Sequence, residues 1–143
     1  QKKVVKDLNI QNNLNKYMEN KVVLVLEDET PLLNAIKKKL ELQGCTVVGA
    51  RSVEQGMDYL EELDKIDAIW LDHYLLGKED GLDFVAKIKN EASKWKEMPI
   101  FVVSNTATSD KVQAYIKFGV DKYYTKADNR LDDIIKDIKN TLN

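Results

Sequence analysis

From Lys21 onward, short hydrophobic runs alternate with longer stretches in which apolar residues recur every three or four positions. The short runs are typical of buried β-strands, and the longer stretches have the periodicity of amphipathic helices. The predicted strands are Val22–Leu26, Cys45–Ala50, Ala68–Leu71, Ile100–Val103 and Lys122–Thr125. One helix is predicted after each strand, and the last helix carries apolar residues from Leu131 to Leu142.

Turn and capping residues mark the predicted ends of these helices. The predicted N-caps are Thr30, Ser52, Asp80, and either Ser109 or Asp110, and the glycines predicted to end helices are Gly44 and Gly119. Gln55 follows Ser52 by three residues, which is the pattern of a capping box. The helix that begins there is expected to bury an apolar face that extends as far as Leu63.

The strict alternation of strands and helices predicts the fold class. Right-handed crossovers between parallel strands place helices on both faces of the sheet, which explains strands that are apolar throughout. The prediction is an α/β protein with a flavodoxin-like doubly wound sheet of five parallel strands in the order 2-1-3-4-5 and five helices.

Length and composition indicate a single globular domain. The chain has 143 residues with 43% hydrophobic content, enough for one substantial core. This domain is predicted to span residues 21–143. Residues 1–20 are polar and rich in Asn and Lys, which indicates an N-terminal tail, a linker or a helix of an upstream segment.

Charge and cysteine content exclude several function classes. The net charge is −2 with acidic and basic residues interspersed, so direct nucleic-acid binding is not expected. The single Cys45 excludes an internal disulfide, and one His with one Cys makes no zinc cluster. No apolar run is long enough to span a membrane, and no signal-peptide core is found at the N-terminus. A cytoplasmic location is therefore expected.

Polar side chains follow three of the predicted strands. Glu27 and Asp28 follow the first strand, Asp72 follows the third and Ser104 follows the fourth. In the predicted order the first and third strands are neighbours, so their carboxylates should meet at the switch point of the sheet. Carboxylates so close together need a positive charge, which Mg²⁺ and Lys126, the residue after the last strand, could supply.

These groups suit phosphoryl transfer. An Asp carboxylate such as that of Asp72 can attack an activated phosphorus and form an aspartyl phosphate. The metal ion and Lys126 would balance the charge on the phosphoryl oxygens, and Ser104 would donate a hydrogen bond to one of them.

With Glu27–Asp28, the lone Asp72 after an apolar strand, Asp80–Gly81 before a helix, and Ser104, Tyr123 and Lys126 in order, the chain resembles the receiver domain of two-component response regulators. The resemblance covers about Lys21 to Asn143. It implies a phosphorelay role, in which Asp72 takes a phosphoryl group from a phosphohistidine on a sensor histidine kinase or a histidine phosphotransfer protein.

The resemblance also implies a role for each site residue. Asp28 binds Mg²⁺ directly and Glu27 binds it through water, with Asp72 and the backbone carbonyl of Tyr74 as further ligands. Lys126 contacts the acyl phosphate, and Ser104 moves to bond a phosphoryl oxygen.

Tyr123 is expected to be the aromatic switch, because its spacing to Lys126 favours it over the neighbouring Tyr124, which strand alternation puts on the opposite face. An output partner is expected to dock on the surface formed by the fourth helix, last strand and last helix. Because no output domain follows Asn143, the signal is expected to leave by protein contact or through a neighbouring domain.

One departure from the family pattern, at Ala127, bears on the site, and Tyr74 bears on an alternative function. Ala127 stands where the family usually has a proline, often after a cis peptide bond, so a trans bond is expected here. An alternative is an aspartyl-phosphate phosphatase-type enzyme, but Tyr74 stands where such enzymes carry a second Asp as general acid. A degenerate receiver acting as a binding module is less favoured, because Asp28, Asp72 and Lys126 are intact. His73 is interpreted as an ordinary loop residue.

Overall fold

The computed structural model of the protein describes residues 19–105 and 108–142, in which strands and helices alternate. The strands are β1 (Val22–Leu26), β2 (Thr46–Ala50), β3 (Ala68–Leu71), β4 (Ile100–Ser104) and β5 (Lys122–Thr125). The helices are α1 (Thr30–Leu42), α2 (Val53–Glu62), α3 (Gly81–Ile88), α4 (Ser109–Phe118) and α5 (Leu131–Leu142). Most of the predicted N-terminal tail, residues 1–18, lies outside the described residues.

All five strands form one parallel sheet in the order β2-β1-β3-β4-β5, which confirms the predicted topology. The register pairs Leu26 at the end of β1 with Ala50 of β2 on one side and with Leu71 of β3 on the other. The carboxyl ends of these three strands therefore finish level with one another. This alignment brings the loops after β1, β2 and β3 to the same edge of the sheet.

The sheet has a hydrophobic core on each face, because successive strand residues point to opposite sides. Val23 and Val25 of β1 face the core under α1 and α5, whereas Leu24 and Leu26 face the core under α2, α3 and α4. Trp70 is fully buried on the α1–α5 side. Burial on both faces explains why the central strands are apolar along their whole length.

The start of α1 differs from the prediction by one residue, whereas the start of α2 agrees with it. Thr30 was predicted as an N-cap but is the first residue of α1, and the capping Glu29 makes no side-chain hydrogen bond to the helix. Ser52 does cap α2, and its hydroxyl accepts a hydrogen bond from the Gln55 backbone N–H at 3.1 Å. The Gln55 side chain, however, accepts from the N–H of Arg51 at 2.9 Å, so the reciprocal bond of a capping box is displaced by one residue.

The start of α3 and the glycines that end helices agree with the prediction, whereas the start of α4 does not. Asp80 caps α3 as predicted, in a complete capping box with Asp83. The N-cap of α4 is Thr108, so the prediction of Ser109 or Asp110 was wrong. Gly44 and Gly119 both adopt φ +94°, as helix-ending glycines commonly do.

The end of α2 and the start of β2 each differ from the prediction by one residue. Leu63 lies beyond the end of α2 and is 38% exposed, so it does not continue that helix's buried face as predicted. Cys45 precedes β2 and is buried with a free thiol. No helix in the ranges described combines the length and the apolar character that a membrane crossing requires.

Candidate functional site

Three acidic side chains meet where β1 and β3 end. Carboxylate oxygens of Glu27, Asp28 and Asp72 lie within 4.8 Å of one another. The backbone ladder continues into this cluster, because the N–H of Asp72 donates to the carbonyl of Leu26 at 2.9 Å and the N–H of Glu27 donates to that of Ala50 at 3.0 Å. The parallel register thus places the predicted acidic residues side by side.

Two of these acids are removed from solvent and share one cation. Glu27 is fully buried and Asp72 is 4% exposed, whereas Asp28 is half-buried. The ammonium of Lys126 donates to Glu27 Oε1 at 2.8 Å and to Asp72 Oδ2 at 3.2 Å. Buried charges are costly unless they are paired, so Lys126 stabilises a cluster that would otherwise be strongly unfavourable.

One ammonium cannot balance both buried carboxylates, and the remaining negative charge affects proton binding. Burial, together with the charge of Asp72, raises the pKa of Glu27 to about 7, although the hydrogen bond from Lys126 acts to lower it. For Lys126, burial acts to lower the pKa, but the hydrogen bond to Glu27 and the charge of Asp72 outweigh burial and raise it. Near neutral pH the cluster therefore favours the binding of a proton or of another cation.

The donor set of this cluster suits a small, hard cation. Mg²⁺ prefers carboxylate and carbonyl oxygens and keeps several of its waters, and the half-buried Asp28 leaves one side of the cluster near solvent. Glu27, Asp28 and Asp72 could therefore hold a metal ion. Tyr74 lies two residues after Asp72 in the loop between β3 and α3, and its backbone carbonyl stays a predicted ligand.

Arg51 organises the loops around the cluster and was missed by the sequence analysis. Its guanidinium donates to the backbone carbonyl of Asp28 through Nε at 3.0 Å and Nη2 at 2.8 Å. Its own carbonyl accepts from the N–H of Leu76 at 2.9 Å, in the loop after β3. The only sequence signal was a basic residue directly after β2, at the edge of the sheet where the acids gather.

Ser104 and Tyr123 lie together at the other side of the cluster. Ser104 is fully buried at the end of β4, and its side chain acts to lower the pKa of Tyr123, which burial raises. The backbone carbonyl of Ser104 accepts from the N–H of Lys126 at 2.9 Å. Tyr124 faces the opposite core and donates to Asp137 at 2.9 Å. Of the two tyrosines, Tyr123 is thus the one beside Ser104.

His73 is a loop residue, as predicted, but it is buried and hydrogen-bonded. Its side chain is 4% exposed, and Nδ1 lies 2.6 Å from the hydroxyl of Tyr115 in α4. Burial lowers the pKa of His73, with opposing contributions from nearby acids such as Asp80. Tyr115 was not identified from the sequence, where it resembles any other residue on the apolar face of a helix.

The backbone after Lys126 has the expected geometry. The described residues contain no cis peptide bond, so Lys126–Ala127 is trans, as predicted from the absence of proline.

The fold and the acidic cluster define a flavodoxin-like domain with a carboxylate site at its switch point. The sequence matches the family model of the response regulator receiver domain over residues 23–139. The chain therefore belongs to the response regulator receiver domain family. Members of this family act in two-component signalling, in which they take phosphoryl groups from histidine kinases.

Individual relatives agree with this assignment. The transcriptional regulatory protein YvrH of Bacillus subtilis is 29% identical over 117 residues, covering 80% of this chain and 46% of that protein. The chain thus spans about half the length of this curated relative. A CheY-like receiver domain protein from Methanospirillum hungatei superimposes with a TM-score of 0.76 at 23% identity, covering 85% of this chain and 93% of that one.

A further solved structure, the Mn²⁺-bound form of the response regulator Rcp1, has a TM-score of 0.71 at 26% identity, covering 84% of this chain and 90% of that one.

Proposed function

We propose that Asp72 is the phosphoacceptor of this receiver domain. A carboxylate oxygen of Asp72 attacks the phosphorus of a phosphohistidine on a sensor histidine kinase or a histidine phosphotransfer protein. An acyl P–O bond forms, the P–N bond breaks, and the departing imidazole keeps the electron pair and takes up a proton. The observation that carries the proposal is the convergence of Asp72, Glu27 and Asp28 with the ammonium of Lys126 at one sheet edge.

The remaining charges of the cluster would stabilise the transferring group. Lys126 already contacts Asp72 and would balance the charge on phosphoryl oxygens. Glu27, Asp28, Asp72 and the Tyr74 carbonyl would hold Mg²⁺, which when bound supplies positive charge to the phosphoryl oxygens. The existence of a Mn²⁺-bound form of the response regulator Rcp1 supports divalent-cation binding by this domain. The domain thereby assists its own phosphorylation and dephosphorylation rather than turning over a separate substrate.

The phosphoryl group would change the contacts of Ser104. To donate to a phosphoryl oxygen, the Ser104 hydroxyl must move away from Tyr123, beside which it lies at the end of β4. Tyr123 would then act as the switch that alters the surface of α4, β5 and α5, where an output partner docks. Exposed Ile116 and Phe118 give α4 apolar side chains suited to such a contact.

The extent and location of the domain belong to the same proposal. Residues 21–143 would form the receiver unit, with residues 1–20 as a tail, a linker or part of an upstream helix. The exchange with the kinase would take place in the cytoplasm. Tyr74, in place of a second Asp, argues against the phosphatase-type alternative, and the contacts of Lys126 with Glu27 and Asp72 argue against a degenerate receiver.

The test is phosphorylation by acetyl phosphate followed by intact mass spectrometry. With Mg²⁺ the parent should gain one phosphoryl group, and Asp72→Asn should gain none. Asp58→Asn is the matched control, because it makes the same change at an exposed position of α2. Chelation of the metal should abolish the adduct in the parent. An adduct of undiminished size in Asp72→Asn would overturn the assignment.

A further inference from the structure

A second set of contacts leads from Asp72 to α4, apart from the one that passes through Ser104. It begins in the backbone of His73, whose N–H donates to Asp72 Oδ1 at 2.7 Å. The carbonyl of His73 accepts from the N–H of Gly81 at 2.9 Å. His73 is therefore held between the carboxylate that would be phosphorylated and the first turn of α3, and it has little freedom to move independently of either.

The side chain of His73 continues this path to Tyr115. Nδ1 and the Tyr115 hydroxyl are 2.6 Å apart, and the two rings meet edge-on at a centroid distance of 5.7 Å. Tyr115 is fully buried, so its hydroxyl has no access to solvent. A buried hydroxyl or ring nitrogen is costly to leave without a hydrogen-bond partner. This bond therefore ties α4 to the loop that follows Asp72.

Tyr115 in turn packs against Tyr123. The centroids of the two rings are 5.6 Å apart with an interplanar angle of 48°. Tyr123 lies on β5 beside β4, which ends at Ser104, and the Ser104 side chain acts to lower the pKa of Tyr123. The contacts thus run from Asp72 through His73, Tyr115 and Tyr123 to Ser104.

Phosphorylation would act on both ends of this path at once. The oxygen that accepts from the His73 N–H would become part of an acyl phosphate and lose its carboxylate charge. At the other end, the Ser104 hydroxyl would leave Tyr123 for a phosphoryl oxygen. Tyr115 touches both changing neighbours, and it belongs to the helix that would have to respond.

We infer that the His73–Tyr115 hydrogen bond is a latch that holds α4 in its unphosphorylated position, with His73 and Tyr115 as positioning residues. This inference rests on the proposed function of Asp72. The latch is present in the structure in which the Asp72 carboxylate accepts from the His73 N–H, so it stabilises the unphosphorylated arrangement. Breaking it should raise the population of the phosphorylated-like conformation of α4 about twofold to tenfold, the usual effect of one net hydrogen bond.

The experiment uses amide NMR spectra of the whole chain, with beryllofluoride and Mg²⁺ as the phosphoryl mimic. Tyr115→Phe removes the hydroxyl and keeps the ring. In the free state, its α4 amide signals should move along the line that joins the free and beryllofluoride-bound positions of the parent. A purely structural role would lower the melting temperature without moving the signals along that line.

Tyr124→Phe is the matched control, because it also removes a single tyrosine hydroxyl. Tyr124 lies in the core on the opposite face of the sheet from Tyr115, and its hydroxyl donates to Asp137. Its α4 signals should stay at the parental free positions. His73→Phe and the double variant His73→Phe/Tyr115→Phe should give the same displacement as Tyr115→Phe alone, because all three lack the same bond.

The outcomes separate the two proposals. If the parent responds to beryllofluoride but Tyr115→Phe stays at the parental free positions or leaves the line, the latch is wrong and the phosphoacceptor assignment stands. If the parent itself shows no response to beryllofluoride and no adduct with acetyl phosphate, the proposed function fails and the latch fails with it.

Discussion

The ammonium of Lys126 lies 2.8 Å from Oε1 of Glu27, a contact between residues 99 positions apart in the chain. Glu27 follows β1 and Lys126 follows β5, so the contact joins the ends of two strands that are separated in the sheet by β3 and β4. Without a metal ion, Lys126 is the cation that compensates the buried acids. Lys126 should therefore contribute to the stability of the metal-free protein.

Replacing Lys126 by Met should destabilise the metal-free protein by about 2–4 kcal/mol, because two buried carboxylates lose their partner. Mg²⁺ should restore much of this loss by supplying the missing charge. The measurement is urea unfolding with and without Mg²⁺. Lys122→Met, at the start of the strand that Lys126 follows, is the control, since the Lys122–Asp137 pair is solvent-exposed at 3.4 Å and should contribute below about 1 kcal/mol. Equal losses in the two variants would contradict the prediction.

The pKa of Glu27 predicts a pH dependence of stability. Because the folded-state pKa is raised from 4.5 to about 7, the folded protein holds a proton that the unfolded chain releases. The free energy of unfolding should therefore fall as the pH rises from about 4.5 to 7, by about 1–3 kcal/mol. Glu27→Gln should remove this decline in the metal-free protein. A variant whose pH profile parallels that of the parent would show that Glu27 is not the group responsible.

Proton and metal binding at Glu27 should also compete. Mg²⁺ favours the ionised carboxylate, so metal affinity should rise with pH up to about 7 and level off above it. Calorimetric titrations with Mg²⁺ at several pH values would measure this. In Glu27→Gln the affinity should be weaker and nearly independent of pH over the same interval. An affinity in the parent that does not change between pH 5 and about 7 would argue against the raised pKa.

Ser104→Ala should separate phosphorylation from the conformational response. The Asp72 carboxylate and Lys126 remain, so acetyl phosphate should still label the protein. Without the hydroxyl, the phosphoryl group has no means of drawing residue 104 away from Tyr123, so the amide shifts of β5 and α4 should shrink severalfold. Ser104→Thr, which keeps a hydroxyl, should restore them. A full response from Ser104→Ala would disprove the coupling of Ser104 to Tyr123.

Gly81→Ala should destabilise the protein although it adds a better helix former. An alanine at the start of a helix normally stabilises by about 0.4–1 kcal/mol. Here the added Cβ would lie 2.8 Å from the carbonyl oxygen of Asp72 and 3.0 Å from Cα of His73, and it would also contact the Tyr115 hydroxyl. The backbone cannot yield easily, so a net loss of about 1–3 kcal/mol in thermal or urea unfolding is expected.

Gly77 provides the comparison for that substitution. An added Cβ there meets nothing within 4 Å, but the residue adopts φ +90°. Gly77→Ala should therefore cost about 1 kcal/mol from backbone strain alone and leave the spectra around Tyr115 unchanged. Gly81→Ala, in contrast, should shift the signals around Tyr115. A stabilised Gly81→Ala would mean that the close approach to Asp72 is relieved at little cost.

The core of the site could be predicted from the sequence because it depends on strand ends. Parallel strands finish at one edge, so Glu27, Asp28 and Asp72 had to meet once the order of strands was correct, and Ser104 and Lys126 followed from the same rule. Strand periodicity also separated Tyr123 from Tyr124. These inferences use only local pattern and topology.

Other features depend on packing that no local pattern reports. Arg51 binds a carbonyl in another loop, and its role becomes visible only when the loops after β1 and β2 are side by side. Tyr115 differs from an ordinary core residue only through the position of its hydroxyl beside His73. The starts of α1 and α4 differ from the prediction because several polar residues near each start can occupy the capping position, and tertiary contacts choose among them.

Arg51 links the acidic cluster to the edge of the sheet. It stands directly after the edge strand β2, binds the Asp28 carbonyl through its side chain and accepts from Leu76 through its backbone. The loops that carry Asp28 and Tyr74 therefore share one anchor next to β2, which is an edge strand of the sheet that residues 19–105 and 108–142 form. If β2 detaches in a local opening event, both loops are released together. Amide hydrogen exchange at Glu27 and Leu76 should then proceed at one common rate, as members of a single cooperative unit.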